Sequence, residues 1–115
     1  MHFYDKDFEW VWNTAMRTNI IDEGEKVKVL VTLPGVNKED IDLSMKDGML
    51  EVRVNDQAND GEKPKYLWQE FKPAGYDRKI LVGSNVVEDS VDASFDNGIL
   101  TILLDKKKPS TIHIH

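Results

Sequence analysis

The chain is written in period two over most of its length. Val27, Val29, Val31 and Leu33 alternate with Lys26, Lys28, Leu30 and Thr32 until Pro34-Gly35 breaks the run. Such alternation sends one set of side chains to one face, so it predicts a half-buried strand. Ile41, Leu43 and Met45 alternate with Asp42, Ser44 and Lys46 in the same way. After Asp47-Gly48, Leu50, Val52 and Val54 alternate with Glu51 and Arg53. Near the end, Val91, Ala93 and Phe95 lead through Asn97-Gly98 into Leu100, Ile102 and Leu104. Asp-Gly and Asn-Gly between alternating runs are strong hairpin signals, because both positions of the tight turn need positive φ. Two runs are less clean: residues 17–21, and residues 66–71 continuing past Pro73 through Tyr76 to Val82. The total is roughly seven to nine short strands, which predicts an all-β, immunoglobulin-like antiparallel β-sandwich.

Three stretches stand outside this pattern. Tyr4, Phe8, Val11, Trp12 and Ala15 fall at helical spacing, with Asp5, Asp7, Glu9 and Asn13 between them. They predict a short amphipathic N-terminal helix that must lean on something, since isolated helices of this length are marginal. Residues 55–64 are polar and long for a hairpin loop. They read either as an idle loop or as the carrier of a short exchanged strand. The third stretch is the extended C-terminal tail. Charged residues and Pro109 end the regular pattern after Leu104, yet Ile112 and Ile114 follow. In an extended segment the two isoleucines point to one side. Leaving each wet forgoes about 1.5–3 kcal/mol of apolar burial. The tail therefore reads as a tethered plug that seeks a groove on another copy of the chain, which favours an assembly protein over an enzyme.

Size and composition narrow the options. A chain of 115 residues makes one domain, and 40% hydrophobic with 31% charged residues is ordinary for a globular protein. There is no cysteine, hence no disulfide, thiolate nucleophile or zinc-thiolate site. This favours a cytoplasmic setting. No apolar run approaches the ~20 residues of a membrane span, and no secretory signal precedes the first strand. A net charge of −6 argues against nucleic acid, which requires concentrated Lys and Arg. The basic run Lys106, Lys107, Lys108 reads as a solvated linker.

Catalytic chemistry finds little support. The three histidines, His2, His113 and His115, all sit at the ends. A Ser-His or Cys-His hydrolase needs its base held rigidly beside the nucleophile, so that class is almost excluded. Gly83-Ser84 lacks the second glycine of a nucleophile elbow. The glycines are scattered singly, so no nucleotide cofactor is expected. Asp40 and Asp42 sit at outward positions of a strand, where solubility explains them better than acid/base work. His113 and His115 form an H-x-H pair, but two ligands on a loose tail make a weak metal site. No catalytic, cofactor or metal residue is assigned.

The motifs then converge on a family. The run from Ala93 through Asn97-Gly98 to Leu100 resembles the A-x-x-x-N-G-x-L signature of the α-crystallin domain of small heat-shock proteins. Leu33-Pro34-Gly35-Val36 with Glu39-Asp40-Ile41 resembles its L-P-G block. Glu70 and Arg78 stand at the ends of its E-R-x-x-G-x-F-x-R segment, and Ile112-His113-Ile114 is similar to its I-x-I motif. The compact archaeal and bacterial members are the nearest in plan. Five positions differ from the usual family residue: Phe71 for Arg, Ala74 for Gly, Tyr76 for Phe, Gly83 for Pro and Asp105 for Pro.

The resemblance implies an N-terminal arm over 1–13, an α-crystallin domain over 14–105 and a C-terminal extension over 106–115. It implies an ATP-independent holdase of the stress response that binds unfolding client proteins. It also implies strand-swapped dimers that assemble into large homo-oligomers, often of twenty-four chains, with no nucleic-acid or membrane partner. In such a dimer the long loop, with Asn55 and Asp60, crosses to the partner's first strand, with Asn19, and Arg78 joins the interface. The tail, through Ile112 and Ile114, docks between strands 41–45 and 78–82, where Ile41, Leu43, Ile80 and Val82 line a groove. Phe3, Tyr4, Phe8, Trp10 and Trp12 form the arm that meets clients or the oligomer interior. Three other readings compete: a monomeric co-chaperone sandwich, which the tail and loop oppose; a β-sandwich enzyme, which would need a buried carboxylate; and an extracellular adhesion sandwich.

Overall fold

A computed structural model describes residues 16–56, 64–108 and 114. Seven strands form: β1 (Thr18–Asp22), β2 (Lys26–Thr32), β3 (Ile41–Lys46), β4 (Met49–Val54), β5 (Tyr76–Leu81), β6 (Asp92–Asp96) and β7 (Ile99–Asp105). One antiparallel sheet has four strands in the order β1-β2-β7-β6, and the other has three in the order β3-β4-β5. The sandwich predicted from the alternation is the fold observed. Among the described residues the only helices are two 3-10 turns, Lys38–Asp40 and Glu88–Ser90. The predicted N-terminal helix lies outside the described residues.

The inward positions of both sheets meet in one core. Val29, Val31 and Leu33 follow one another on and after β2, opposite Leu50, Val52 and Val54 of β4, with Leu100, Ile102 and Leu104 of β7 beside them. Each is 2% exposed or less, which is the interdigitated packing of an aligned sandwich. Both two-residue turns have the geometry the dipeptides require: φ is 53° at Asp47 and 77° at Gly48, and 53° at Asn97 and 75° at Gly98.

One predicted strand is absent. Residues 64–75 make bends without a ladder, although Tyr66, Leu67, Trp68 and Phe71 look like strand residues. Among the described residues β5 pairs only with β4 and β1 only with β2, so these apolar side chains have no sheet of their own to join. Leu67 is 96% and Trp68 77% exposed. Beyond β7, Lys106 still bridges Val86, and the Lys107 N–H donates to the Asn85 carbonyl at 3.0 Å. The root of the C-terminal extension is therefore part of the body.

Candidate functional site

A sandwich of two open sheets has two open sides, and they differ here. On one side β5 faces β1. The Arg78 guanidinium donates to the Met16 carbonyl and to Thr18 Oγ1, the latter at 3.1 Å. Met16 is buried in the core, so this contact ties the start of β1 to the opposite sheet. Farther along β1, Ile20 lies opposite Val29 and so faces inward, yet it is 50% exposed because no strand covers it.

On the other side β3 faces β6 across an apolar groove lined by Lys38, Ile41, Leu43, Ala93, Ser94, Phe95 and Leu100. Its origin is in the register. Ala93 and Phe95 lie opposite Ile102 and Leu100, so they share the inner face of their sheet. A small alanine beside a phenylalanine leaves a notch between β6 and the Ile41 and Leu43 side chains of β3. β3 and β6 are sheet edges with no strand beyond them among the described residues. They offer unpaired backbone groups to an added strand.

Of the four residues predicted to line a docking groove, two lie along this one. Ile41 and Leu43 line it, but Ile80 and Val82 do not, because β4 stands between β3 and β5. Ile80 is buried in the core and Val82 packs against it. The opposite wall comes from β6, with Ala93 and Phe95. The sequence carried a signal for this: Ala93 and Leu100, the outer residues of the hairpin signature, both face the notch. Asn97 and Gly98 supply only the turn that sets their register.

The predicted dimer residues also divide. Arg78 and the exposed Asn19 belong to the β1/β5 side. Asn55 does not, since its side-chain amide donates to Asp42 Oδ2 at 2.6 Å and its N–H to the Asp40 carbonyl at 2.8 Å. Tyr66, Leu67, Trp68 and Phe71 of the neighbouring segment are exposed. Phe3, Tyr4, Phe8, Trp10, Trp12, Asp60, Ile112, His113 and His115 lie outside the described residues. Ile114 is described and is 94% exposed.

Electrostatics is concentrated at the tail's root. Lys106 Nζ meets Asp22 Oδ1 at 2.6 Å, and Lys26 Nζ meets Asp105 Oδ1 at 2.6 Å. The Lys106 hydrogen bond, helped by the Gly24 N–H, holds the Asp22 carboxyl below its usual range. Asp105 likewise raises Lys26. Burial alone pushes the Tyr76 phenol up, and its hydroxyl is enclosed without a hydrogen-bond partner. Among the described residues no cluster of histidine and carboxylate side chains could cage a metal. No helix among them is long and apolar enough to cross a membrane.

With this geometry in place, comparison with known proteins is informative. The Hsp20/alpha crystallin family pattern matches residues 19–115. The chain belongs to that family. Small heat shock protein C2 of Rickettsia felis is 32% identical over 97 residues, covering 84% of this chain and 63% of that protein. Heat shock protein 16 of Schizosaccharomyces pombe is 33% identical over 94 residues, covering 78% of this chain and 66% of that protein. The chain thus spans about two thirds of the length of these curated relatives. Among solved structures, heat shock protein 16.0 from Schizosaccharomyces pombe superposes with a TM-score of 0.63 at 28% identity, over 88% of this chain and 96% of that one. A small heat-shock protein from Xylella fastidiosa gives 0.69 at 21% identity, over 87% and 93%, a likeness of fold alone. All of these are named as heat shock proteins and none as an enzyme.

Proposed function

We propose that this member of the Hsp20/alpha crystallin family is an ATP-independent holdase. It keeps unfolding proteins soluble in the cytoplasm and works as a dynamic oligomer of strand-exchanged dimers. The observation that carries this reading is the open β3/β6 groove on a domain whose own tail carries an unburied Ile114. Ile112 and Ile114 of one copy enter the groove of another, against Ile41, Leu43, Ala93 and Phe95. Two isoleucines supply about 3–6 kcal/mol gross, and ordering the tail and joining the partners takes several kcal/mol back. A single dock is weak. Many docks in a closed particle hold by avidity while still exchanging subunits.

The β1/β5 side forms the dimer. β1 is an edge strand with Ile20 uncovered, and the exposed 64–71 segment is chain looking for a sheet. Exchange of this segment between two copies covers both at once, and swapping is a low-cost route to a dimer. Clients are captured by the apolar surface that docking hides, together with Phe3, Tyr4, Phe8, Trp10 and Trp12 of the arm. The reaction consumes no nucleotide and has no catalytic residue.

Replacing Ile112 and Ile114 with Ala should shift large particles toward dimers. An unchanged sedimentation coefficient would refute tail docking. Heated client enzyme mixed with the protein, without nucleotide, should scatter little light; undiminished aggregation would refute the holdase.

A further inference from the structure

We propose that the root of the C-terminal extension is an electrostatic latch, in which Asp22 at the end of β1 holds Lys106 and sets the pivot of the tail at Lys107. The latch itself lies within the body of the domain; its consequence for particle size rests on the tail docking read above. From sequence, Lys106 to Lys108 is a solvated linker. Lys106 does not behave as one, since its side chain is 27% exposed and two chain segments grip its backbone. On one side its N–H donates to the Glu25 carbonyl at 2.9 Å, which extends the β2–β7 ladder one residue past Asp105. On the other, Val86 forms an antiparallel bridge with Lys106. There the Val87 N–H donates to the Asp105 carbonyl at 2.8 Å, and the Lys107 N–H to the Asn85 carbonyl at 3.0 Å. Ser90 fixes this second segment. Its hydroxyl donates to the Val87 carbonyl at 2.6 Å and accepts the Asp105 N–H at 2.9 Å.

Side chains close the latch. Lys106 Nζ lies 2.6 Å from Asp22 Oδ1. The same oxygen accepts the Gly24 N–H at 2.9 Å, so the carboxylate is oriented by its own turn. Two other ion pairs flank it. Lys26–Asp105, at 2.6 Å, joins residues already paired across the ladder. Lys28–Glu23, at 3.2 Å, stays within the β1–β2 hairpin. Among the described residues, only Asp22–Lys106 ties the extension to a strand that is not its ladder neighbour.

An ion pair this exposed favours the closed form by about two- to fivefold, and salt screens it. Opening frees residues 106 and 107. Ile112 then hangs seven residues from Asp105 instead of five from Lys107, roughly 24 Å of reach instead of roughly 17 Å. A longer flexible tether lowers the effective concentration at a fixed groove by about 1.7-fold, and it also spans grooves farther away. A closed latch therefore narrows the range of particle geometries, and an open one widens it.

Limited trypsin digestion tests this. Trypsin cuts after lysine except before proline, so it can cut after Lys106 and Lys107 but not at Lys108-Pro109. Mass spectrometry compares release of residues 107–115 with cleavage after the exposed Lys65. The parent is the full chain with Ile112→Ala/Ile114→Ala, so that docked tails do not shield the site. Asp22→Asn keeps an oxygen for the Gly24 N–H and removes the charge. It should raise the cleavage ratio about two- to fivefold, because cleavage tracks the open population. Salt at about 0.5 M should do the same to the parent and add nothing in Asp22→Asn. Glu23→Gln, an equal charge change in the same turn, should leave the ratio unchanged. An Asp22→Asn ratio equal to the parent's, or a Glu23→Gln ratio raised as much, overturns the latch. With Ile112 and Ile114 intact, Asp22→Asn should widen the spread of particle masses in native mass spectrometry, and Glu23→Gln should not. An unchanged spread overturns the link from latch to assembly. Large particles that persist in the Ile112→Ala/Ile114→Ala parent overturn the docking and leave the latch standing.

Discussion

Gly48→Ala and Gly98→Ala form a matched pair that tests how the groove wall is anchored. Both glycines take the second position of a two-residue turn with φ near +75°: 77° and 75°. Placing alanine there costs about 1–2 kcal/mol of backbone strain at either site, partly offset by about 0.4–1 kcal/mol from a stiffer unfolded chain. The surroundings differ. A Cβ at Gly98 meets nothing nearer than the Leu33 carbonyl oxygen at 3.8 Å, an ordinary contact. A Cβ at Gly48 falls 2.8 Å from the Gly83 carbonyl carbon and oxygen and 3.2 Å from the Ser84 nitrogen. All three are backbone atoms, so the strand end after β5 has to move.

That movement disrupts three hydrogen bonds. Val82 and Gly83 both donate N–H to the Gly48 carbonyl, at 2.9 and 3.0 Å, and the Gly48 N–H donates to Glu88 Oε2 at 2.8 Å. At a net ~1 kcal/mol per bond, Gly48→Ala should cost about 3–4 kcal/mol against about 1 kcal/mol for Gly98→Ala. Urea unfolding by circular dichroism would measure both, at one protein concentration because assembly contributes to apparent stability. Midpoints for the two variants that agree within the error of about 0.5 kcal/mol would refute the steric argument. Such a result would also mean that the β3–β4 turn, and with it the β3 wall, is not braced by the loop at Gly83.

Other substitutions address single contacts. Tyr76→Phe removes a hydroxyl enclosed without a partner. It should stabilise the fold by about 1 kcal/mol in thermal unfolding; a loss of stability would mean that the hydroxyl is bonded in the assembly. Because burial raises the folded-state pKa of Tyr76, its neutral form favours folding fully below the unfolded value of about 10, and that contribution is lost as pH rises toward the folded value. Tyr76→Phe should therefore soften the alkaline fall in stability, which a pH series of midpoints would register. Restoring the family's proline at Gly83 should destabilise by about 3 kcal/mol or more in the same urea assay. Gly83 has φ 108° and its N–H is bonded to Gly48. An equally stable Gly83→Pro variant would contradict that geometry.

The alternation of residues 26–54 and 91–104 was enough to read the sandwich, because burying one face of a strand leaves a period that no tertiary detail can erase. The Asp-Gly and Asn-Gly turns were equally legible, since few residues tolerate positive φ. The isoleucines at 112 and 114 were also visible as apolar residues outside any alternating run. The open β3/β6 groove was not fully visible. Periodicity marks Ile80 and Phe95 alike as inward, and only the strand order buries Ile80 while leaving Phe95 at an open side. Sheet order is set by long-range pairing, such as that of β2 with β7, which leaves no imprint on local spacing. Residues 66–71 show the same limit from the other direction. Their composition predicts a strand, but a strand needs a neighbour, and within the described chain none is there to pair with it.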